Sequence, residues 1–291
     1  MDCSRVRLTD SLPALSDREY ENISRLAHDH FGLDLGDSKR GLVASRLGKI
    51  MRQLSLESFQ HYYEYVKADR SGAALTAMVD RLTTNHTSFF REPKHFEYLR
   101  KCIFPTLRTL SRINIWSAAC SSGEEPYSIA MSLLEESFQE AAAKVRIMAT
   151  DISTRVLEKA KRGVYEADRI DGIPIALLQR YLVPERANGA NSFRFRDDIR
   201  SMIDFEHLNL MAKLPEGYRC SVIFCRNIMI YFDRSTQQSL VKRLSLHLED
   251  GGYLFIGHSE SLNNITHDLD YISPATYKKP EYARRAQNGR G

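Results

Sequence analysis

The chain predicts an α/β fold, a doubly wound and mostly parallel sheet, preceded by a small all-helical domain. Three observations point there. Apolar residues recur at helical spacing through about the first 80 positions. From Ile113 onward, short apolar runs alternate with amphipathic stretches, the signature of strand–helix–strand units. Between them, Trp116 to Ser128 reads as a buried strand, a tight turn and the first turn of a helix. Open α/β folds bind ligands at that kind of junction.

The helical part comes first. Asp17 to His30 carries Tyr20, Ile23, Leu26 and Ala27 on one face, and Gly32 supplies a left-handed stop. Asp37 or Ser38 is placed to cap the next helix, which holds Leu42, Val43, Leu47, Ile50, Met51 and Leu54. Ser55 is the expected cap of a third helix with Phe59, Tyr62, Tyr63 and Val66, and Ala73 to Leu82 forms a fourth. In the second helix Val43, Leu47, Ile50 and Leu54 make the apolar face, with Arg46, Lys49 and Arg52 opposite. That stripe is either a solvated face or a docking surface for an acidic partner. Its single sign and lack of i,i+4 acids keep the second reading open.

Leu82 to Arg91 connects the two parts. Strands are expected at Ile113–Ala119, Val145–Ile152, within Met202–Phe205, at Ser221–Cys225, at Tyr253–Gly257 and at Ala275–Lys278. Helices are expected at Pro126–Glu136, Ser153–Arg162, Ile175–Tyr181 and Ser235–Leu248. A small antiparallel excursion is expected near 183–205. The domain limits that follow are 1–82, helical; 83–281, α/β; and 282–291, a basic tail with Arg284, Arg285 and Arg290.

Composition narrows the function. The 291 residues are 43% hydrophobic and 27% charged, ordinary for a globular chain with room for two domains. No run is long enough to cross a bilayer, and Met1 to Leu15 lacks a secretory apolar core, so a cytoplasmic location is expected. A net charge of +4 is too mild to imply nucleic-acid binding. Five cysteines without a CxxC pair, and nine histidines without HExxH spacing, lead to no expectation of a metal.

The turn after the first strand has one glycine, Gly123, and two acids, Glu124 and Glu125. A phosphate-binding turn offers glycines and bare amides instead. The expected ligand therefore lacks phosphate and carries positive charge, which S-adenosylmethionine satisfies. Asp151, ending the second strand, is placed to accept ribose hydroxyls, or else to cap the helix starting at Ser153. Cys225-Arg226-Asn227 ends a later strand. Arg226 either meets a ligand carboxylate or braces the loop by pairing with a glutamate.

These residues resemble the chemotaxis receptor methyltransferase (CheR) family. The resemblance rests on Thr83-Thr84-Asn85-His86-Thr87-Ser88-Phe89-Phe90-Arg91, the Trp116–Ser128 block, Ala149-Thr150-Asp151-Ile152, Phe224 to Asp233, and Gly257-His258-Ser259-Glu260-Ser261. It spans about Tyr20 to Lys279. It implies a Rossmann-like S-adenosylmethionine-dependent methyltransferase that esterifies glutamate side chains of methyl-accepting chemotaxis receptors, releasing S-adenosylhomocysteine. It implies that Asn85, Thr87, Arg91, Glu125, Asp151, Asn209, Leu210, Cys225, Arg226 and Asn227 line the cofactor site, Leu210 and Cys225 through backbone or packing. Arg91 and Tyr231 would position the reacting groups, and Arg46, Lys49 and Arg52 would grip receptor helices. A monomer without metal, nucleic-acid partner or membrane insertion is expected. The competing expectations are the same chemistry on a non-chemotaxis array, and a non-catalytic module that binds S-adenosylmethionine.

Overall fold

The computed structural model describes residues 13–135, 143–187, 190–214 and 217–281. Cys3 and the basic tail lie outside the described residues. The chain divides between Thr84 and Asn85 into two compact units.

Among the described residues the first unit has four α-helices: α1 (Asp17–Phe31), α2 (Arg40–Gln53), α3 (Phe59–Ala68) and α4 (Ala73–Leu82). A capping box opens α1: the Ser16 amide donates to Glu19 Oε2 at 2.9 Å, and the Glu19 amide returns to Ser16 Oγ. Gly32, at φ 68°, closes α1 as expected. The packed face of α2 is Val43, Leu47 and Met51, each no more than 1% exposed. Leu54 is 38% exposed because it lies one residue past the last turn, so the apolar face is narrower than expected. The cap assignments also change. A 3₁₀ turn, Asp37–Lys39, leads into α2 with no side-chain cap. Ser58, not Ser55, caps α3, accepting the His61 amide at 3.1 Å. Ser55 instead takes a left-handed φ of 55° in the preceding turn.

The second unit begins with a helical segment the periodicity did not single out. It comprises α5 (Pro93–Tyr98), a π turn (Leu99–Ile103) and α6 (Phe104–Leu107). Then come β1 (Ile113–Ala118), α7 (Glu124–Glu135), β2 (Val145–Asp151), α8 (Thr154–Arg162), β3 (Val164–Glu166) and α9 (Ile175–Tyr181). The chain continues through β4 (Leu182–Ala187), β5 (Ala190–Phe195), α10 (Asp197–Arg200), β6 (Ile203–His207) and β7 (Cys220–Cys225). It ends with α11 (Arg234–His247), β8 (Leu248–Phe255), β9 (Asp270–Ser273) and β10 (Thr276–Lys278).

Seven strands form the main sheet in the order β6-β2-β1-β7-β8-β10-β9. The strands from β6 to β8 run parallel; β10 alone runs against them, pairing antiparallel with β8 and with β9, which keeps the common direction. The central parallel strands are buried without alternation: every residue of β7 is buried, whereas the edge strand β6 alternates. Both faces of such a strand are covered, so a polar face would be wasted. Winding runs outward from β1 through β2 to β6, then resumes at β7 on the other side of β1. The crevice therefore opens beyond the carboxyl ends of β1 and β7.

The antiparallel excursion is a separate sheet, β3-β5-β4, occupying 164–166, 182–187 and 190–195. It starts earlier than 183 and stops before 203, because Ile203–His207 joins the main sheet beside β2. Aromatic rings fasten this small sheet to α7 and to the segment before α5. Tyr127 of α7 stacks on Phe195 of β5 at 4.1 Å, and Phe89 meets Tyr165 of β3 edge-on at 5.0 Å.

Candidate functional site

The turn after β1 is built from left-handed residues: Ala119 (φ 66°), Ser121 (φ 50°) and Gly123 (φ 97°). Gly123 admits no side chain. A Cβ there would lie 2.8 Å from both Ala160 Cβ and Tyr165 Oη. The Tyr165 hydroxyl meanwhile donates to the Ser122 carbonyl at 2.7 Å.

The two acids of this turn are matched within the fold, contrary to the expectation of a bare negative turn. Glu124, fully buried, accepts from Arg169 at 2.6 Å and from Ser122 Oγ at 2.7 Å. Glu125 accepts from Ser117 Oγ at 2.6 Å and from Arg226 at 2.9 Å. What disfavours phosphate here is the backbone. The Ser121 amide donates to Asp151 at 2.8 Å and the Cys120 amide to the Thr150 carbonyl at 2.9 Å. Turn amides that face a carboxylate are not presented to an anion.

Asp151 thus joins the ends of β1 and β2. Its other oxygen accepts the Ser153 amide at 2.9 Å, while Ser153 itself caps α8. The end of β6 comes to the same place, since the Leu208 amide donates to the Asp151 carbonyl at 3.0 Å. Leu210 is buried, and Asn209 Oδ1 accepts the Met211 amide at 2.9 Å.

Arg226, at the end of β7, is a buried brace. Its side chain is 2% exposed and lies between Glu125 and Glu92, with Arg226 Nη2 2.9 Å from Glu92 Oε2. Nη2 also donates to the Arg91 carbonyl at 2.5 Å. This geometry favours the bracing reading over a ligand carboxylate. It also fastens the Arg91–Glu92 segment to the strand that leads on to Tyr231. Burial pushes the Glu92 carboxyl up. Arg226, the His258 amide and the Asn227 side chain outweigh that, and its pKa falls to about 2.

Asn227 takes φ 58°, donates through Nδ2 to Glu92 Oε1 at 3.2 Å, and through its amide to Glu260 at 3.0 Å. Thr87 and Asn85 enter the same neighbourhood through their carbonyls. Thr87 accepts from Arg169 at 3.3 Å, and Asn85 accepts from Ser121 Oγ at 3.1 Å. The Arg91 guanidinium donates to the His86 carbonyl at 2.9 Å. Cys225 is fully buried, and burial pushes its thiol far up, so it contributes packing and backbone.

Glu260 carries a role that its place in Gly257–Ser261 did not disclose. Its carboxylate accepts amides from Gly257, Asn227, Met229 and Ile230, at 2.5, 3.0, 2.8 and 3.3 Å. Burial still raises its pKa above the usual carboxyl value. Met229 and Ile230 open the 3₁₀ turn that ends at Tyr231, so Glu260 fixes the turn that bears Tyr231. The signal available in the sequence was an acid inside a glycine–serine turn, which looks like surface. His95 was also missed. It is buried, with an imidazole pKa lowered to about 3 by burial and by Arg226, against the pull of Glu92.

The basic stripe resolves into two parts. Arg46 reaches the end of α4 and donates to the carbonyls of Leu82 at 2.7 Å and Thr83 at 3.1 Å, and to Thr84 Oγ1 at 2.9 Å. It closes carbonyls that a helix end leaves open. Lys49 and Arg52 stay exposed on α2.

The family described as "CheR methyltransferase, SAM binding domain" matches residues 85–278, and "CheR methyltransferase, all-alpha domain" matches residues 18–83. The chemotaxis protein methyltransferase of Borreliella burgdorferi is 39% identical over 269 residues, covering 90% of this chain and 94% of its own length. That of Escherichia coli K12 is 38% identical over 263 residues, covering 89% and 90%. Among solved structures, the N-methyltransferase NodS of Bradyrhizobium japonicum in complex with S-adenosyl-L-homocysteine is similar at 14% identity. It covers 76% of this chain and 98% of its own, with a TM-score of 0.39, too distant to carry an argument.

Proposed function

The chain belongs to the CheR methyltransferase family, and from that premise we propose that it methylates glutamate side chains of chemotaxis receptors, using S-adenosylmethionine. What supports this reading is the meeting of strand ends at the winding reversal, where Asp151 of β2 accepts the Ser121 amide after β1 and the Leu208 amide after β6. The donor set fits the cofactor: carboxylates and amides suit hydroxyls and a cation, and the Ser121 amide is turned to Asp151. Asp151 and Asn209 would hold its ribose and base side, and Glu125, braced by Arg226, would face its charged end. Asn85, Thr87, Leu210, Cys225 and Asn227 would shape the wall. When bound, the cofactor supplies an electrophilic methyl group.

The rest falls to orientation. A glutamate carboxylate is ionised at neutral pH, its reference pKa being about 4.3, so no residue here needs to act as a general base. Arg91 and Tyr231 would aim that carboxylate, their segments fixed by Arg226 and by Glu260. Holding reactants about 3–3.5 Å apart in line is enough to supply most of the acceleration. Lys49 and Arg52 would dock the helical unit on acidic receptor helices, giving a cytoplasmic enzyme recruited to receptor arrays.

The test is transfer of radiolabelled methyl from S-adenosylmethionine to receptor-enriched membranes, followed by mild alkali. Label released as volatile methanol identifies a carboxyl methyl ester. Alkali-stable label, or binding of cofactor with no labelled receptor, rejects the reading.

A further inference from the structure

We propose that Glu92, His95 and His258 form a binding site for one divalent transition-metal ion of the zinc type. Each offers a ligand atom, and these atoms all lie within 4.8 Å of one another. The residues come from two distant segments, the start of α5 and the turn after β8, so no sequence spacing reveals them.

The second observation is His95 itself. It is 2% exposed, yet neither ring nitrogen has a hydrogen-bond partner. Its Nδ1 stands 3.4 Å from Glu92 Oε2, without hydrogen-bond geometry. The ring is wedged between Phe255, at 5.0 Å, and His258, which meets it edge-on at 4.8 Å. Leaving a buried polar group unpaired costs about 1–3 kcal/mol. A bound ion satisfies one of the two nitrogens.

Glu92 brings the one negative charge of the ligand set, and its Oε2, 3.4 Å from His95 Nδ1, is shared with Arg226. His95 and His258 also line a cavity of about 520 Å³, which gives an ion a route in and leaves a fourth position for water. Two imidazoles with one carboxylate select zinc or cobalt over magnesium, which takes oxygen ligands. Donors around a tetrahedral zinc at ~2.0–2.2 Å stand roughly 3.3–3.6 Å apart. The cluster must therefore contract by about an ångström, and exposed His258 is free to make that move at the cavity mouth.

The test uses the full chain, stripped with chelator and titrated calorimetrically with zinc, then with cobalt followed by visible absorption. One equivalent of zinc is expected, with cobalt giving tetrahedral d–d bands and magnesium failing to compete. His258→Ala, at an exposed position, should weaken zinc binding at least tenfold, while His61→Ala leaves it unchanged. His95→Phe should abolish binding yet keep or raise the melting temperature without metal, because it deletes two orphaned nitrogens. Absence of stoichiometric binding, or binding indifferent to His258→Ala, overturns the proposal.

Discussion

Arg226 is where the site's chemistry and its stability meet. One buried guanidinium holds Glu125 at the head of α7 and Glu92 at the entrance to α5, and also caps the Arg91 carbonyl. Removing one member of a buried ion network leaves the others desolvated and unpaired. Arg226→Ala should therefore cost about 3–5 kcal/mol in denaturant unfolding, well beyond an exposed pair's contribution. Arg226→Lys keeps a charge but cannot span two carboxylates and a carbonyl. It should recover part of the stability while methyl transfer stays low, which steady-state kinetics on the folded variant would read. The sequence exposed Arg226 and Glu125 as site residues, and it left the bracing role open. It could not choose between the alternatives, because Glu92 lies 134 residues away and no local pattern announces such a pairing. Glu260 and His95 were hidden for the same reason: their environment is made by segments that meet only in the fold.

Among the elements, the helical unit makes the clearest statements. Glu19 completes the box at the start of α1 and also accepts the Gln60 amide at 2.9 Å, at the start of α3. Burial pushes the Glu19 carboxyl up, but the Ser16 hydroxyl and amide and the Gln60 amide outweigh it, and its pKa lies below 4.5. A lowered folded pKa means stability present above about pH 4.5 and lost as pH falls through the folded value. Glu19→Gln should cost about 1 kcal/mol at pH 7. The gap from the parent should narrow in melts run below pH 4.5. On α2 the three basic residues should separate by readout. Arg46→Ala should lower stability by about 1–2 kcal/mol, since it removes charge-assisted bonds to the end of α4. On the proposed docking role, glutamates at Lys49 and Arg52 should instead raise the KM for receptor by on the order of tenfold at low salt, with cofactor affinity unchanged. Apart from the buried helical run Pro93–Leu107, the elements that sequence reading missed were short or exposed. β3 has three residues, and β9 is an edge strand with little burial, so neither shows a period. The long buried runs of β1, β2 and β7 were legible because parallel strands are apolar throughout.

At the scale of the whole molecule, the SAM binding domain matches only the second unit. S-adenosylhomocysteine added at a hundred times its Kd should stabilise its unit by about 2.7 kcal/mol. In hydrogen exchange the added protection should fall in residues 85–281 and leave 13–84 unchanged. The same two-part division was visible in the sequence as a change of period, from helical spacing to strand–helix alternation, because each unit builds its own core from its own pattern. The Arg226 brace has one further consequence, for assembly in time. Its two ends are separated by 101 and 134 residues of chain, and β1 gains β7 as a neighbour only after β2 to β6 have been laid down. Closing loops of that length is entropically slow, and the reward comes only at closure. On the proposed role of Arg91, catalytic competence is expected late in folding: a chain that has made its helices and its first strand pairs still lacks the brace on the Arg91 carbonyl. Activity regained on refolding should trail the return of secondary structure, and each active copy certifies that its sheet has closed.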